Sequence, residues 1–113
     1  MSDCLFCKIV DGKIPAQRVR EDERAIAFRD INPQAPTHVL VIPRKHIASL
    51  DTLGDDDAAL VGHLHVLARQ IAADEGLSDG YRTVINTGVH AGQTVLHIHL
   101  HLIGGRSLGW PPG

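Results

Sequence analysis

The chain has 113 residues, is 43% hydrophobic and carries a formal net charge of -2. That length and composition predict a single soluble domain, 1–113, with one core. The charge balance leaves no basic field for long nucleic acid or an anionic membrane surface, so neither is expected as a partner. The longest apolar run, 35–43, is short and interrupted by Pro36 and His38, too little to span a bilayer.

In chain order, residues 4–14 read as a short amphipathic turn or helix closed by Pro15. The pairs Arg18-Val19 and 25–28 flank the polar stretch Glu21-Asp22-Glu23, the pattern of a hairpin. Residues 32–36 hold two prolines and form a loop. Residues 37–42 are β-branched and apolar and stop at Pro43, which predicts a buried strand.

Asp55-Asp56-Asp57 signals a helix start, because carboxylates can accept from free N–H groups at the positive end of the helix dipole. Leu60, Leu64, Leu67 and Ile71 follow at helical spacing, so a helix is expected over 56–75, with Gly76 as its C-cap. Residues 81–86 form a further strand candidate, 88–92 a glycine-bearing loop, and 94–103 alternate with strand period up to Gly104-Gly105.

The last of these segments carries the chemistry. The chain has eight histidines, and a buried imidazole needs hydrogen-bond partners, so a surplus of them suggests function where they cluster. In His97-Ile98-His99-Leu100-His101-Leu102-Ile103 the histidines fall on alternate positions. A strand would project all three from one face and send Ile98, Leu100 and Leu102 into the core. Same-face neighbours would stand ~6.7 Å apart, a spacing that suits one anionic group between two rings. One imidazole could attack it while the next donates a proton, both near neutral pH. Three same-face histidines on one flat strand are too spread to converge on one metal ion, although two of them could join distant ligands.

This run of alternating histidines resembles the motif of the histidine triad superfamily. Asp30 to His38 (Asp-Ile-Asn-Pro-Gln-Ala-Pro-Thr-His), Pro43-Arg44-Lys45-His46-Ile47, Gly92-Gln93-Thr94 and the ending Trp110-Pro111-Pro112-Gly113 extend the likeness to its Hint branch, from about Phe6 to the end. The resemblance implies an α+β fold: a five-stranded antiparallel sheet with one long helix and a short N-terminal helix, assembled as a homodimer. It implies hydrolysis of purine nucleoside 5'-phosphoramidates, such as adenosine 5'-monophosphoramidate or AMP-lysine, to AMP and an amine. Two other functions stand beside it: a nucleotide-binding regulatory module with residual activity, and a dinucleotide polyphosphate hydrolase, against which the Trp-Pro-Pro-Gly tail argues.

On the matching positions, His99 is the implied nucleophile and becomes transiently nucleotidylated. His101 helps protonate the leaving amine, and His38 assists the proton relay. Asp30 is the implied ribose ligand, Phe6, Ile9, Phe28 and Ile31 the base pocket, and Asn86 a residue of the phosphate–ribose side. Gly92, Gln93, Thr94 and nearby backbone N–H groups would hold the phosphate, with Gly88 and Gly92 permitting close approach. The family usually has Ser where Thr94 stands, and the added methyl crowds the leaving-group side.

Cys4-Leu5-Phe6-Cys7 departs from the animal pattern and resembles that of microbial relatives, in which such a pair binds structural zinc with two histidines. Here the implied partners are His46 and His97, a closed tetrahedral set. Zinc would not take part in catalysis. The opening Met1-Ser2-Asp3-Cys4 has no basic or apolar region of a signal peptide, so a reducing, cytoplasmic setting is expected and a disulfide is not. His63 and His65 are expected to be solvated or at the dimer contact, and His90 lies in the glycine loop.

Overall fold

A computed structural model describes residues 3–113. Helix α1, Leu5–Val10, comes first, with Cys4 as its N-cap: the Cys4 Sγ accepts from the Cys7 N–H at 3.3 Å. Strands β1 (Arg18–Glu21) and β2 (Ala25–Arg29) form the expected hairpin. Its turn is tied by Asp22, whose Oδ1 accepts from the Arg24 and Ala25 N–H groups. Strand β3, Thr37–Pro43, is buried along its whole length. A long helix, α2 (Ala58–Asp74), and strands β4 (Tyr81–Val84) and β5 (Leu100–Gly104) complete the chain. The sheet is five-stranded with order β1-β2-β3-β5-β4, and every pairing is antiparallel. This is the α+β architecture that the resemblance implies.

The sheet separates two layers. Ala25, Ala27, Val39, Val41, Leu100 and Leu102 face α2 and meet Leu64, Leu67, Ala68, Ile71 and Ala72. Alternate residues of the same strands, Ile26, Phe28, Leu40 and Ile42, pack on the other face against Phe6 and Ile9 of α1. Each fully buried Leu or Ile contributes about 1.5–3 kcal/mol relative to exposure.

Helix α2 is shorter than the predicted 56–75. The three aspartates form a separate 3-10 turn, Asp55–Asp57, and Asp57, at the N-cap position of α2, gives that helix no side-chain hydrogen bond. The buried Asp57 carboxylate instead accepts from the Gly54 N–H at 2.9 Å and pairs with Lys45 at 2.6 Å. The C-terminus ends as expected: Gly76 has φ +72, and the N–H groups of Gly76 and Leu77 return to the carbonyls of Ala73 and Ala72. Leu60 is only half-buried, while Ala68 and Ala72 complete the core stripe. His65 is exposed, but His63 is a tether: its Nε2 lies 2.6 Å from Asp22 Oδ2 and ties α2 to the hairpin turn.

The two C-terminal strand predictions need correction. The predicted strand 81–86 stops at Val84, and the predicted strand 94–103 begins only at Leu100. Before Leu100 the chain leaves the sheet, and the Ile98 N–H bonds to the Ile47 carbonyl at 2.7 Å. His97 and His99 therefore alternate with strand period but do not belong to the strand. Among the described residues no helix is long and apolar enough to cross a membrane.

Candidate active site and cysteine–histidine cluster

Leaving the sheet at Leu100 gives the three triad histidines different surroundings. His101 still lies on β5, opposite Leu40 of β3, on the face away from α2. His99 turns toward the same face, and the His99 and His101 ring centroids are 5.0 Å apart, closer than a flat strand would hold them. His97 is fully buried and turns aside to the N-terminal cysteines. His38 enters from β3, its Nε2 2.9 Å from His101 Nδ1.

The hydrogen bonds assign the tautomers. His38 Nδ1 accepts from the Gln34 N–H at 3.0 Å, so its proton is on Nε2. That proton faces His101 Nδ1, with Asp30 Oδ2 at 3.4 Å. His101 then carries its own hydrogen on Nε2, a buried atom with no hydrogen-bond partner. His99 Nδ1 donates to the His97 carbonyl oxygen at 2.8 Å, which leaves the lone pair on its Nε2. The site thus pairs a neutral imidazole lone pair with an adjacent N–H donor.

Burial holds these rings neutral. It pushes His97 and His99 below the ordinary histidine value, even though each has a backbone carbonyl partner that favours the charged form. His101 falls to about 4, through burial first and then through His99 and His38 beside it.

Asp30 ends the chain of contacts. Its Oδ1 accepts from the Asn32 N–H at 2.8 Å, and a carboxylate keeps further lone pairs for a ligand hydroxyl. Asp30, His38 and His101 form a group whose ligand-type atoms lie within 4.8 Å of one another. At 2.9 Å, however, the two imidazole nitrogens share a proton; two ligands of one zinc would stand about 3.3 Å apart or more. This group suits a relay rather than an ion.

The remaining predicted residues divide. Phe6, Ile9 and Phe28 come together in the core beneath the histidines, with the Phe6 ring edge-on to His99 at 5.1 Å between centroids. Ile31 stands apart, fully exposed. Asn86 follows β4, half-buried. Gln93 departs from its predicted role, because its side chain is engaged within the protein. Its Oε1 accepts from the Gly88 N–H, and its Nε2 donates to the carbonyls of Ala48 and Val95. Gln93 therefore shapes the loop, in which Gly88 and Gly92 take φ values of +86 and +90. Thr94 is exposed on a shallow cavity shared with Cys4, Leu5, His46 and Leu96. His90 is exposed in the short 3-10 turn of the same loop.

Cys4, Cys7, His46 and His97, from three separate parts of the chain, bring one ligand-type atom each to within 4.8 Å of one another. His97 Nδ1 lies 3.4 Å from Cys4 Sγ, 3.6 Å from Cys7 Sγ and 3.2 Å from His46 Nδ1, and Cys7 Sγ lies 3.3 Å from His46 Nδ1. A tetrahedral zinc with sulfur at about 2.3 Å and nitrogen at about 2.0–2.1 Å requires ligand separations of about 3.3–3.8 Å. The set fits zinc in donor type, and its separations of 3.2–3.6 Å lie close to that range. His97 Nε2 donates to the Pro43 carbonyl at 2.8 Å, which turns the Nδ1 lone pair into the cluster. Burial pushes the Cys7 thiol up to about 11, with Cys4 adding to the rise.

Several functional contacts escape sequence reading. The Gln34 N–H, the Pro43 carbonyl and the His97 carbonyl each set the tautomer of an imidazole through the backbone, where residue type carries no signal.

The family model described as "Scavenger mRNA decapping enzyme C-term binding" matches residues 3–109. The chain is 57% identical over 111 residues to an uncharacterized HIT-like protein of Synechococcus elongatus, covering 98% of this chain and 97% of that one. Its structure is similar to that of a HIT family hydrolase from Legionella pneumophila, with a TM-score of 0.96 and 54% identity over 98% of this chain and 100% of the other. It is also similar to a histidine triad protein from Clostridium difficile, with a TM-score of 0.93 and 44% identity over 96% of each chain. On the motif, the fold and these likenesses together, the chain belongs to the histidine triad (HIT) family.

Proposed function

We propose that this protein hydrolyses purine nucleoside 5'-phosphoramidates through a nucleotidylated His99. The observation that carries the reading is the opposed tautomers of His99 and His101: a lone pair on one Nε2 and an unpartnered N–H on the other. His99 Nε2 attacks the α-phosphorus, and the P–N bond breaks as the nitrogen takes the proton from His101 Nε2. The amine leaves, and the imidazole bound to phosphorus becomes cationic. Its Nδ1–H, bonded to the His97 carbonyl, meets that charge with a fixed dipole.

In the second half-reaction His101, now with a free Nε2 lone pair, takes a proton from water. The hydroxyl oxygen bonds to phosphorus, the His99–phosphorus bond breaks, and AMP is released with both imidazoles restored. In the complex, beside the phosphate anion, His101 takes up a second proton, so giving its Nε2 proton to the amine leaves it neutral; Asp30, 3.4 Å from His38 Nε2, favours that cationic form. Asp30 also stands where it can accept from ribose hydroxyls, and the exposed Ile31 offers apolar surface to a base.

Cys4, Cys7, His46 and His97 would hold one structural zinc, which supplies cross-linking of the N-terminal segment and no chemistry at phosphorus. Brief mixing with AMP-lysine followed by mass spectrometry tests the function. The expected result is an AMP adduct on His99. A diadenosine polyphosphate run in parallel distinguishes a hydrolase of phosphate anhydrides, and absence of an adduct from AMP-lysine overturns the reading.

A further inference from the structure

Two clusters that serve different ends meet at one residue. His97 gives its Nδ1 to the cysteine–histidine group and its backbone carbonyl to the Nδ1–H of His99. Two further links run in parallel. The Ile98 N–H, between the two histidines, bonds to the carbonyl of Ile47, the neighbour of His46. Phe6, between Cys4 and Cys7 on α1, sets its ring nearly perpendicular to His99, at 87° and 5.1 Å, and also meets His97 at 6.0 Å. Every element that brings a ligand to the cluster therefore also touches the His99 imidazole or its immediate backbone.

We infer that Cys4, Cys7 and His46 are positioning residues for His99: with its divalent metal held, the cluster fixes the His99 ring and tautomer through the His97 carbonyl and the Phe6 ring. The inference rests on the reading of His99 as nucleophile. An α1 no longer tied to His46 and His97 leaves Phe6 free to move. The His97 carbonyl then loses its fixed aim, and the neutral His99 ring can place its hydrogen on either nitrogen. Only the tautomer with the Nε2 lone pair reacts. Orienting groups one contact away from a reacting residue are commonly worth about ten- to a hundredfold in activity.

The experiment compares wild-type protein carrying zinc, the same protein after chelation, Cys4→Ser, and Leu64→Ala as a control destabilised in the core away from the site. Histidine-labelled samples are examined by nitrogen-15 NMR at one fixed pH, and turnover is measured well below each melting temperature. Expected after chelation and in Cys4→Ser is a His99 spectrum that moves from a single Nδ1–H tautomer to a mixture. In the same samples kcat falls about ten- to a hundredfold with KM little changed. Leu64→Ala should move neither. An unchanged His99 tautomer and kcat after metal loss overturns the inference, as does a wild-type protein that binds no zinc. Failure of zinc-loaded wild type to become nucleotidylated at His99 overturns the phosphoramidase reading instead, and the NMR comparison still decides the positioning role.

Discussion

His38 Nε2 and His101 Nδ1 stand 2.9 Å apart across β3 and β5, although their backbones are not paired: His38 lies opposite Ile103, and His101 opposite Leu40. The bond is a diagonal across the ladder, and it decides which His101 nitrogen carries a hydrogen. His38→Phe leaves His101 free to take either tautomer. Turnover of alkylamine phosphoramidates should fall by about 10²-fold or more, the low end for a general acid–base contribution. A substrate whose amine leaves readily should lose much less. Equal losses on both substrates would assign His38 to some other step.

His99→Ala should lose several orders of magnitude in kcat, since the covalent route disappears, while AMP binding by calorimetry persists. Turnover near the wild-type rate would remove His99 from the mechanism.

Acid should destabilise the fold through its buried imidazoles. Unfolded His101 takes a proton near 6.5, whereas in the fold it does so only near 4. Between these values the unfolded chain binds more protons. The stability is therefore fully present above about 6.5 and is lost as pH falls toward 4, on the order of 3 kcal/mol for this residue. His99, also lowered, acts in the same direction. Urea midpoints by circular dichroism across pH 7.5 to 4.5 should decline, and a flat profile would contradict the buried neutral rings.

Metal-free protein titrated with zinc in a weak buffer at pH 7.5 should release the Cys7 proton, because that thiol otherwise ionises only near 11. Uptake should stop at one zinc per chain and raise the melting temperature. Elemental analysis and an indicator dye measure both, and binding without proton release would exclude the cysteines as ligands.

Gly105→Ala should cost about 1–3 kcal/mol by urea denaturation. The residue holds φ +92, and a Cβ there would lie 2.9 Å from the Pro36 side chain. Pro36 belongs to the loop that presents Gln34 to His38, so the variant should also lose activity; a neutral substitution would mean that the loop yields freely.

Homodimer formation is expected as well. Strand β4 is an open edge with Tyr81 exposed, and α2 leaves Val66 exposed outside the core. Light scattering at micromolar concentration should give twice the chain mass.

Periodicity made α2, the hairpin and β3 legible in the sequence, because burial against one layer repeats with the period of the element. The exit of the chain from the sheet before Leu100 was not legible. His97 to His101 alternate whether or not the backbone pairs, and what ends the pairing is a distant hydrogen bond, Ile98 to Ile47. Triad and cysteine positions could be named from residue type and resemblance. Gln93 could not be placed that way, because a glutamine beside a glycine loop reads equally as a ligand or as the brace that it is. His63 likewise found its partner, Asp22, 41 residues away.

The two-sided sheet gives neighbouring residues of one strand unrelated obligations. Leu100 and Leu102 answer only to the shape of α2, whereas His101 between them answers to His38 and His99 on the other face. Apolar exchanges at Val39, Val41, Leu100 and Leu102 can therefore retune how firmly the protein holds together while the reacting groups keep their geometry, and changes at the histidines can alter reactivity with the helix layer intact. A lineage can thus adapt to temperature and to substrate by separate substitutions, interleaved residue by residue along the same few ångströms of backbone.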